Sequence, residues 1–323
     1  MLHDADNKCH SMGASKEFPD YHRPLGGAPM AMKESVRVCA INFDQKKFHS
    51  FDEFKQQIEY FLQAAADYQC DFILFPEFVT MPLLSIEGQR LSAAKSLNRL
   101  SDYTQAYLDL MKEGAKKFHL NIIAGTHLMA NAEGKMQNFA FTFLRDGSVH
   151  RQAKIHPTPS EVEVWGVVGG DTLPVIQTDC GVIGVQVCYD SEFPELTRHQ
   201  IDQSAKIIFV PYSTDTRHGH LRVRHCCQAR TIENQCYFVL SGNIGNLPQV
   251  HNMDINYAQS CVLTPCDFPF PRDGVAADTE ANIEMVAIAD LSLISLDQAR
   301  QSGTVRNLKD RRLDLYSVNW KGL

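Results

Sequence analysis

The stretch Val182-Ile-Gly-Val-Gln-Val-Cys-Tyr-Asp-Ser-Glu-Phe-Pro-Glu195 passes within one residue from an apolar run to a polar turn marked by proline. The run 182–187 predicts a buried β-strand, and the segment after it must turn into a helix expected over 195–203. Cys188 therefore ends a strand and faces the start of a helix. A helix N-terminus and nearby cations both favour a thiolate, so a thiol there is well placed for activation. A cysteine in apolar surroundings is otherwise a small hydrophobe, and position alone does not decide between the two.

The same alternation continues on both sides. A strand is expected over 36–42. Ser50 and Glu53 then form an S-x-x-E capping box, opening a helix on which Phe51, Phe54, Ile58, Phe61, Leu62 and Ala65 recur at helical spacing. A short buried strand over 71–75 is stopped by Pro76. One helix is predicted over roughly 97–118, a strand over 122–127, and a hairpin of 138–144 with 148–153 around Asp146-Gly147. Two further strands, 175–178 and 182–187, meet around Gly181. Later come a strand over 207–210, a helix over 223–234, and strands over 237–241, 260–264 and 284–291. No internal repeat or low-complexity linker interrupts them. Such interleaving predicts one α/β domain, residues 34–323, with helices covering sheets.

Composition narrows the function. The 323 residues carry 31 Lys and Arg against 38 Asp and Glu, a net charge of −7, which argues against nucleic acid as the main partner. With 44% hydrophobic residues a packed core is expected, and no apolar run is long enough for a membrane span. Residues 1–33 are polar, with Pro24, Gly26, Gly27 and Pro29, and lack the apolar core of a signal peptide. They are expected to form a flexible or surface-docked extension. The ten cysteines are irregularly spaced without a C-x-x-C pair, so reduced thiols in a cytoplasmic protein are expected rather than a disulfide framework.

Two further residues carry chemistry. Glu77 follows Phe-Ile-Leu-Phe-Pro, at the strand end where α/β sheets place ligands. Bordered by Phe75 and Phe78, its carboxylate should be poorly solvated, which raises the pKa and suits a general base. Lys154 follows the hairpin in Gln-Ala-Lys-Ile-His-Pro and could stabilise a thiolate or an oxyanion by charge. His218 and His220 form an H-x-H with His225 beyond, but zinc needs further ligands that no cysteine or carboxylate spacing supplies. No metal or organic cofactor is expected.

Taken in order, F-P-E ending at Glu77, K-I-H-P-T-P-S-E from Lys154, G-V-Q-V-C-Y-D-S-E-F-P-E around Cys188, I-I-F-V-P-Y-S-T-D over 207–215 and H-C-C-Q-A-R-T-I-E-N-Q-C-Y-F-V-L-S-G-N over 225–243 resemble the nitrilase, or carbon–nitrogen hydrolase, superfamily. The resemblance spans about residues 36–316. It implies a four-layer α-β-β-α sandwich, a homodimer or higher homo-oligomer, and a catalytic triad matched by Glu77, Lys154 and Cys188. It also implies a second glutamate after the lysine, matched by Glu161 with Glu163 as the alternative. The backbone N–H of Tyr189 would join Lys154 in holding the oxyanion. Trp165, Tyr212, Asp215 and His218 are candidates for substrate contact. The implied substrate is a small-molecule amide or nitrile. An amidase is favoured, with nitrile hydrolysis, N-carbamoyl hydrolysis or a retired binding scaffold as competitors. The stretches P-T-P-S-E-V-E-V-W-G-V-V-G-G-D and Y-S-T-D-T-R-H-G-H-L-R-V-R resemble an uncharacterised branch, some members of which are fused to an acetyltransferase domain. The tail 308–323, with Leu313, Leu315, Tyr316 and Trp320, is expected to meet a neighbouring subunit.

Overall fold

Burial on both faces of β1 (Ser35–Asp44) sets the architecture. Val36, Val38 and Ala40 enter one hydrophobic core, while Cys39, Ile41 and Phe43 enter another on the opposite face. The computed structural model describes residues 33–321, so the extension expected over 1–33 lies outside them except for Lys33. In chain order β1 is followed by α1 (Phe51–Asp67), β2 (Phe72–Leu74), α2 (Ala93–Asp102), α3 (Thr104–Lys117), β3 (Asn121–Ala130), β4 (Met136–Phe143) and β5 (Val149–Ala153). Next come α4 (Pro159–Trp165), β6 (Val175–Thr178), β7 (Gly181–Val185), α5 (Pro194–Asp202), β8 (Ile207–Tyr212), α6 (Arg217–Asn234) and β9 (Tyr237–Ile244). The last elements are β10 (Cys261–Leu263), β11 (Val275–Asp278), β12 (Met285–Ser292) and α7 (Leu293–Ser302).

The strands form two halves, β12-β1-β2-β3-β4-β5 and β6-β7-β8-β9-β10-β11. Among the described residues they pair strand to strand only where Asn42–Asp44 of β1 run parallel to Gly242–Ile244 of β9. Phe72 has β1 and β3 as its in-plane neighbours, yet its ring lies 5.1 Å from that of Phe209 on β8. That contact is therefore face to face, and the halves pack as a sandwich with Val38, Leu74, Ile123, Val185 and Val210 in one shared core. Helices α1 and α3 cover the outer face of the first half through Phe54, Phe61, Tyr107 and Met111. On β7, Gly184 lets α5 close in, since a Cβ there would meet the Gln200 side chain at 2.6 Å. With α6 beside α5, the four layers run α-β-β-α, as expected.

Several boundaries differ from expectation. The helix expected over 97–118 is two helices broken at Tyr103, whose N–H bonds to Leu100 and whose ring stacks on Phe51 at 6.1 Å. Leu100, Tyr103 and Tyr107 keep helical spacing across the break, so periodicity does not register it. Helix α6 starts at Arg217, earlier than 223, because the Thr216 hydroxyl accepts the Gly219 N–H at 3.2 Å and caps a polar first turn. Ser50 caps α1 as expected, but Glu53 returns its bond to the His49 N–H at 2.9 Å rather than to the cap residue. Helix α4, β11 and α7 are additional elements. The tail is tied down by Arg311 on Asp202 at 2.7 Å and by Trp320 stacked 4.7 Å from His199, with Leu313, Leu315 and Tyr316 exposed. Among the described residues no helix is long and apolar enough to cross a membrane.

One glycine fixes the course of the chain beside Glu77. β3 bulges between Ile123 and Thr126, and Gly125 there has φ +72°. A Cβ on Gly125 would sit 2.0 Å from the Pro76 carbonyl oxygen, next to Glu77. Gly125→Ala is expected to cost about 2 kcal/mol or more in urea unfolding and to displace the turn that carries Glu77.

Candidate active site

Glu77 lies just beyond β2, where Pro76 ends the strand. Phe78 after it is left-handed at φ +59°, a conformation held by its N–H donating to Thr126 Oγ1 at 2.8 Å. The Glu77 carbonyl accepts from Asn243 Nδ2 at 2.6 Å, and its Oε2 accepts from the Ser213 N–H at 3.1 Å. Both donors belong to the second half of the sandwich, so this carboxylate is gripped across the seam. Lys154 emerges from β5 and is 1% exposed, as is Glu77. Its Nζ donates to Glu77 Oε1 at 2.8 Å and to Glu161 Oε2 at 2.5 Å.

Glu161 reaches Lys154 because α4 begins with a capping box. Thr158 Oγ1 accepts the Glu161 N–H at 3.3 Å, and the Thr158 N–H donates to Glu161 Oε2 at 2.8 Å. T-P-S-E spells that box in the sequence, which makes Glu161 the member of the pair turned inward. Glu163, the alternative, is exposed.

Cys188 comes from the other half. It stands past β7 at φ +48°, opening a single 3₁₀ turn, Cys188–Glu192, before Pro194 starts α5. A left-handed non-glycine residue at a strand-to-helix turn stores about 1–3 kcal/mol of strain and thrusts its side chain forward. The thiol lies 3.7 Å from the Ser213 carbonyl oxygen. The Ser213 residue thus touches the Cys188 thiol and the Glu77 carboxylate at once, through its carbonyl and its N–H. Asp190, fully buried, locks the turn to the lysine segment: it accepts from the Ile155 N–H at 3.2 Å, the His156 N–H at 2.8 Å and His156 Nδ1 at 3.0 Å. His156 then stacks on Phe193 at 3.7 Å.

Electrostatics separate the roles. Burial, reinforced by the charge of Glu161, raises Glu77 to about 7, against the pull of Lys154. Burial works against the Lys154 cation, but the flanking Glu77 and Glu161 outweigh it and raise its pKa, keeping it charged. Glu161 is lowered despite burial, because Lys154, Thr158 and Asn138 all bond to it. Burial and then the charge of Glu77 push the Cys188 thiol well above its ordinary range, with Lys154 opposing. The pair is a protonated thiol and a carboxyl group that ionises at about 7. This differs from the thiolate expected of a helix N-terminus, since α5 begins six residues later and a helix dipole falls off within a turn.

The structure places the remaining candidates unevenly. Tyr189 follows Cys188 in the same turn, its ring edge-on to Phe193 at 4.9 Å. Trp165 lies one turn beyond Glu161 on α4, buried with Phe78, Met81 and Val250. Tyr212 is fully buried: its hydroxyl sits 3.2 Å from His220 Nδ1 and accepts the Gln259 N–H at 3.1 Å, which is a structural setting. Asp215 and His218 are exposed on the loop and first turn leading from Ser213. Sequence reading missed Asn138, Asp190 and the Ser213 backbone. Asn138 offered a weak signal, an amide opening the mostly apolar run Asn-Phe-Ala-Phe-Thr-Phe of β4.

The model of the carbon–nitrogen hydrolase family matches residues 36–301. The chain belongs to that family. It is 49% identical over 286 residues to the probable hydrolase YhcX of Bacillus subtilis, aligning 88% of this chain with 55% of that protein, so it spans about half that relative's length. It is 25% identical over 273 residues to the omega-amidase NIT3 of Saccharomyces cerevisiae, with 81% of this chain and 88% of that one aligned. The crystal structure of S. cerevisiae Nit3, a member of branch 10 of the nitrilase superfamily, superposes with a TM-score of 0.71 at 22% identity, covering 88% of this chain and all (100%) of that one. That likeness establishes the nitrilase-type sandwich.

Proposed function

We propose that the chain is a cysteine-dependent amidase acting on a small-molecule amide, an ω-amide or a close relative, through a thioester intermediate. The observation that carries this is a buried thiol and a buried carboxyl group joined through one residue, Ser213, whose carbonyl accepts from Cys188 and whose N–H donates to Glu77, with burial pushing the thiol up and raising the carboxyl to about 7. Such a pair suits proton transfer concerted with attack. The Cys188 sulfur adds to the amide carbonyl as its proton passes to Glu77. Lys154 and the Tyr189 N–H hold the tetrahedral oxyanion, each donor typically worth about 3–4 kcal/mol. Glu77 returns the proton to the leaving nitrogen, and ammonia or an amine departs. Water, losing a proton to Glu77, then cleaves the thioester to a carboxylate and restores the thiol. Each step uses groups of residues 34–323, which we assign as one hydrolase domain. The amidase activity named for the yeast relative supports an amide over a nitrile.

Ammonia release from a panel of small amides, ω-amides, carbamoyl amines and nitriles tests the reading. Release from an amide but not from its matching nitrile is the expected result; nitrile turnover without amide turnover would refute it. For the active substrate, kcat/KM should rise with pH through about 7 as Glu77 ionises. A profile flat from pH 5 to 9 would remove Glu77 from the role of base.

A further inference from the structure

Two carboxylates and one ammonium are buried together at the site, so the acids outnumber the cation by one. Lys154 cannot serve every carboxylate oxygen. The donor that reaches both acids besides it is Asn138, fully buried on β4, whose single Nδ2 donates to Glu77 Oε1 at 3.0 Å and to Glu161 Oε1 at 2.9 Å. Its backbone carbonyl accepts the Lys154 N–H at 2.9 Å, tying the amide and the ammonium to one strand register. Turning the amide over would set Oδ1 against two carboxylate oxygens, so the carboxylates dictate its orientation. That orientation leaves Oδ1 buried with no hydrogen-bond partner among the described residues.

We propose that Asn138 is a positioning residue that sets the basicity of Glu77 and selects which of its oxygens faces the nucleophile, an assignment that rests on Glu77 being the base. Oε1 of Glu77 is doubly engaged, by Lys154 and Asn138. Oε2 is turned toward the Ser213 N–H, and the carbonyl of that same residue contacts Cys188 Sγ. Oε2 carries a single hydrogen bond, from the Ser213 N–H, and so keeps a free lone pair. A neutral amide does this without adding charge. A second cation here would stabilise Glu77 as carboxylate and weaken it as a base, while a third carboxylate would hold its proton too firmly. The amide also keeps Glu161 from drawing Lys154 away from Glu77, because one N–H is committed to each acid.

The test needs no natural substrate. Alkylation of Cys188 by iodoacetamide, followed by peptide mass spectrometry from pH 5 to 9, reports base-assisted thiol reactivity. In the wild-type chain the half-point is expected near the Glu77 value of about 7. In Asn138→Leu, which removes both donors at similar size, it should move up by about one pH unit. In Asn138→Asp, which adds a charge, it should move further, with the rate on the alkaline side within a few-fold of wild type in both. An unchanged half-point with a uniformly lower rate, in whichever variant folds, would overturn the proposal and leave Asn138 a packing residue. Glu77→Gln separates the two ideas. If it abolishes the acid limb, the base assignment stands whatever Asn138 does; if the limb persists, that assignment itself fails.

Discussion

Cys188→Ala is expected to abolish turnover, lowering kcat by more than about 10⁴-fold with substrate binding retained. Among the described residues no other nucleophile stands at the site. Lys154 is held charged between two acids, and the hydroxyl of Thr158 donates its hydrogen to Glu161 at 3.0 Å. The fold should survive, since alanine only trims a sulfur from a residue that is 5% exposed and leaves the strained φ in place. Cys188→Ser should be nearly as inactive, although almost isosteric. With a base of pKa about 7, proton transfer from an alcohol is several pH units more uphill than from a thiol, and the oxygen is the weaker nucleophile. Mass spectrometry of wild type quenched during turnover should show an acyl adduct on Cys188 that both variants lack. Measurable turnover by the alanine variant would mean the acyl group is never carried on sulfur.

The second large effect belongs to Lys154→Met, which we expect to lose both activity and stability. Its ammonium is the only cation bonded to Glu77 and Glu161 among the described residues. Removing one partner of such a buried set typically costs about 3–5 kcal/mol, and losing an oxyanion donor lowers kcat by about 10²–10³-fold. The pH dependence distinguishes the causes. Without the cation both carboxylates titrate above their unfolded values, so the folded state binds protons more tightly than the unfolded chain. The stability deficit should therefore be full at neutral pH and above, and shrink as pH falls toward the unfolded carboxylate range. Urea melts at pH 7.5 and 5 would show it. A deficit equal at both would place the loss in packing around the lysine stem instead.

Strand ends announce themselves in a sequence by a switch in polarity, which sets Glu77, Lys154 and Cys188 at strand ends, but each signal alone is weak and it is the resemblance of the motifs, in order, to one family that singles the three out. The break at Tyr103 is not, because hydrophobic spacing is continuous through it and a tertiary stack on Phe51 decides the geometry. Asn138 and Asp190 act through buried hydrogen bonds to residues distant in sequence, and no local pattern encodes a partner sixty-one positions away. Tyr212 shows the converse: its position at the end of β8 suggests a substrate contact, but its hydroxyl is satisfied inside the core by His220 and Gln259.

Glu77 and Lys154 are carried by one half of the sandwich and Cys188 by the other, and the described strands of the two halves share a ladder only over Asn42–Asp44. The distance between acid and sulfur is therefore a gap between two plates, maintained by the filling between them rather than by either plate's own ladder. Thinning that filling far from the chemistry, at Phe72 or Phe209, should let the plates slide. Heat should do the same, so inactivation would run ahead of loss of secondary structure, and the enzyme would serve as its own gauge of how firmly its two sheets are clamped.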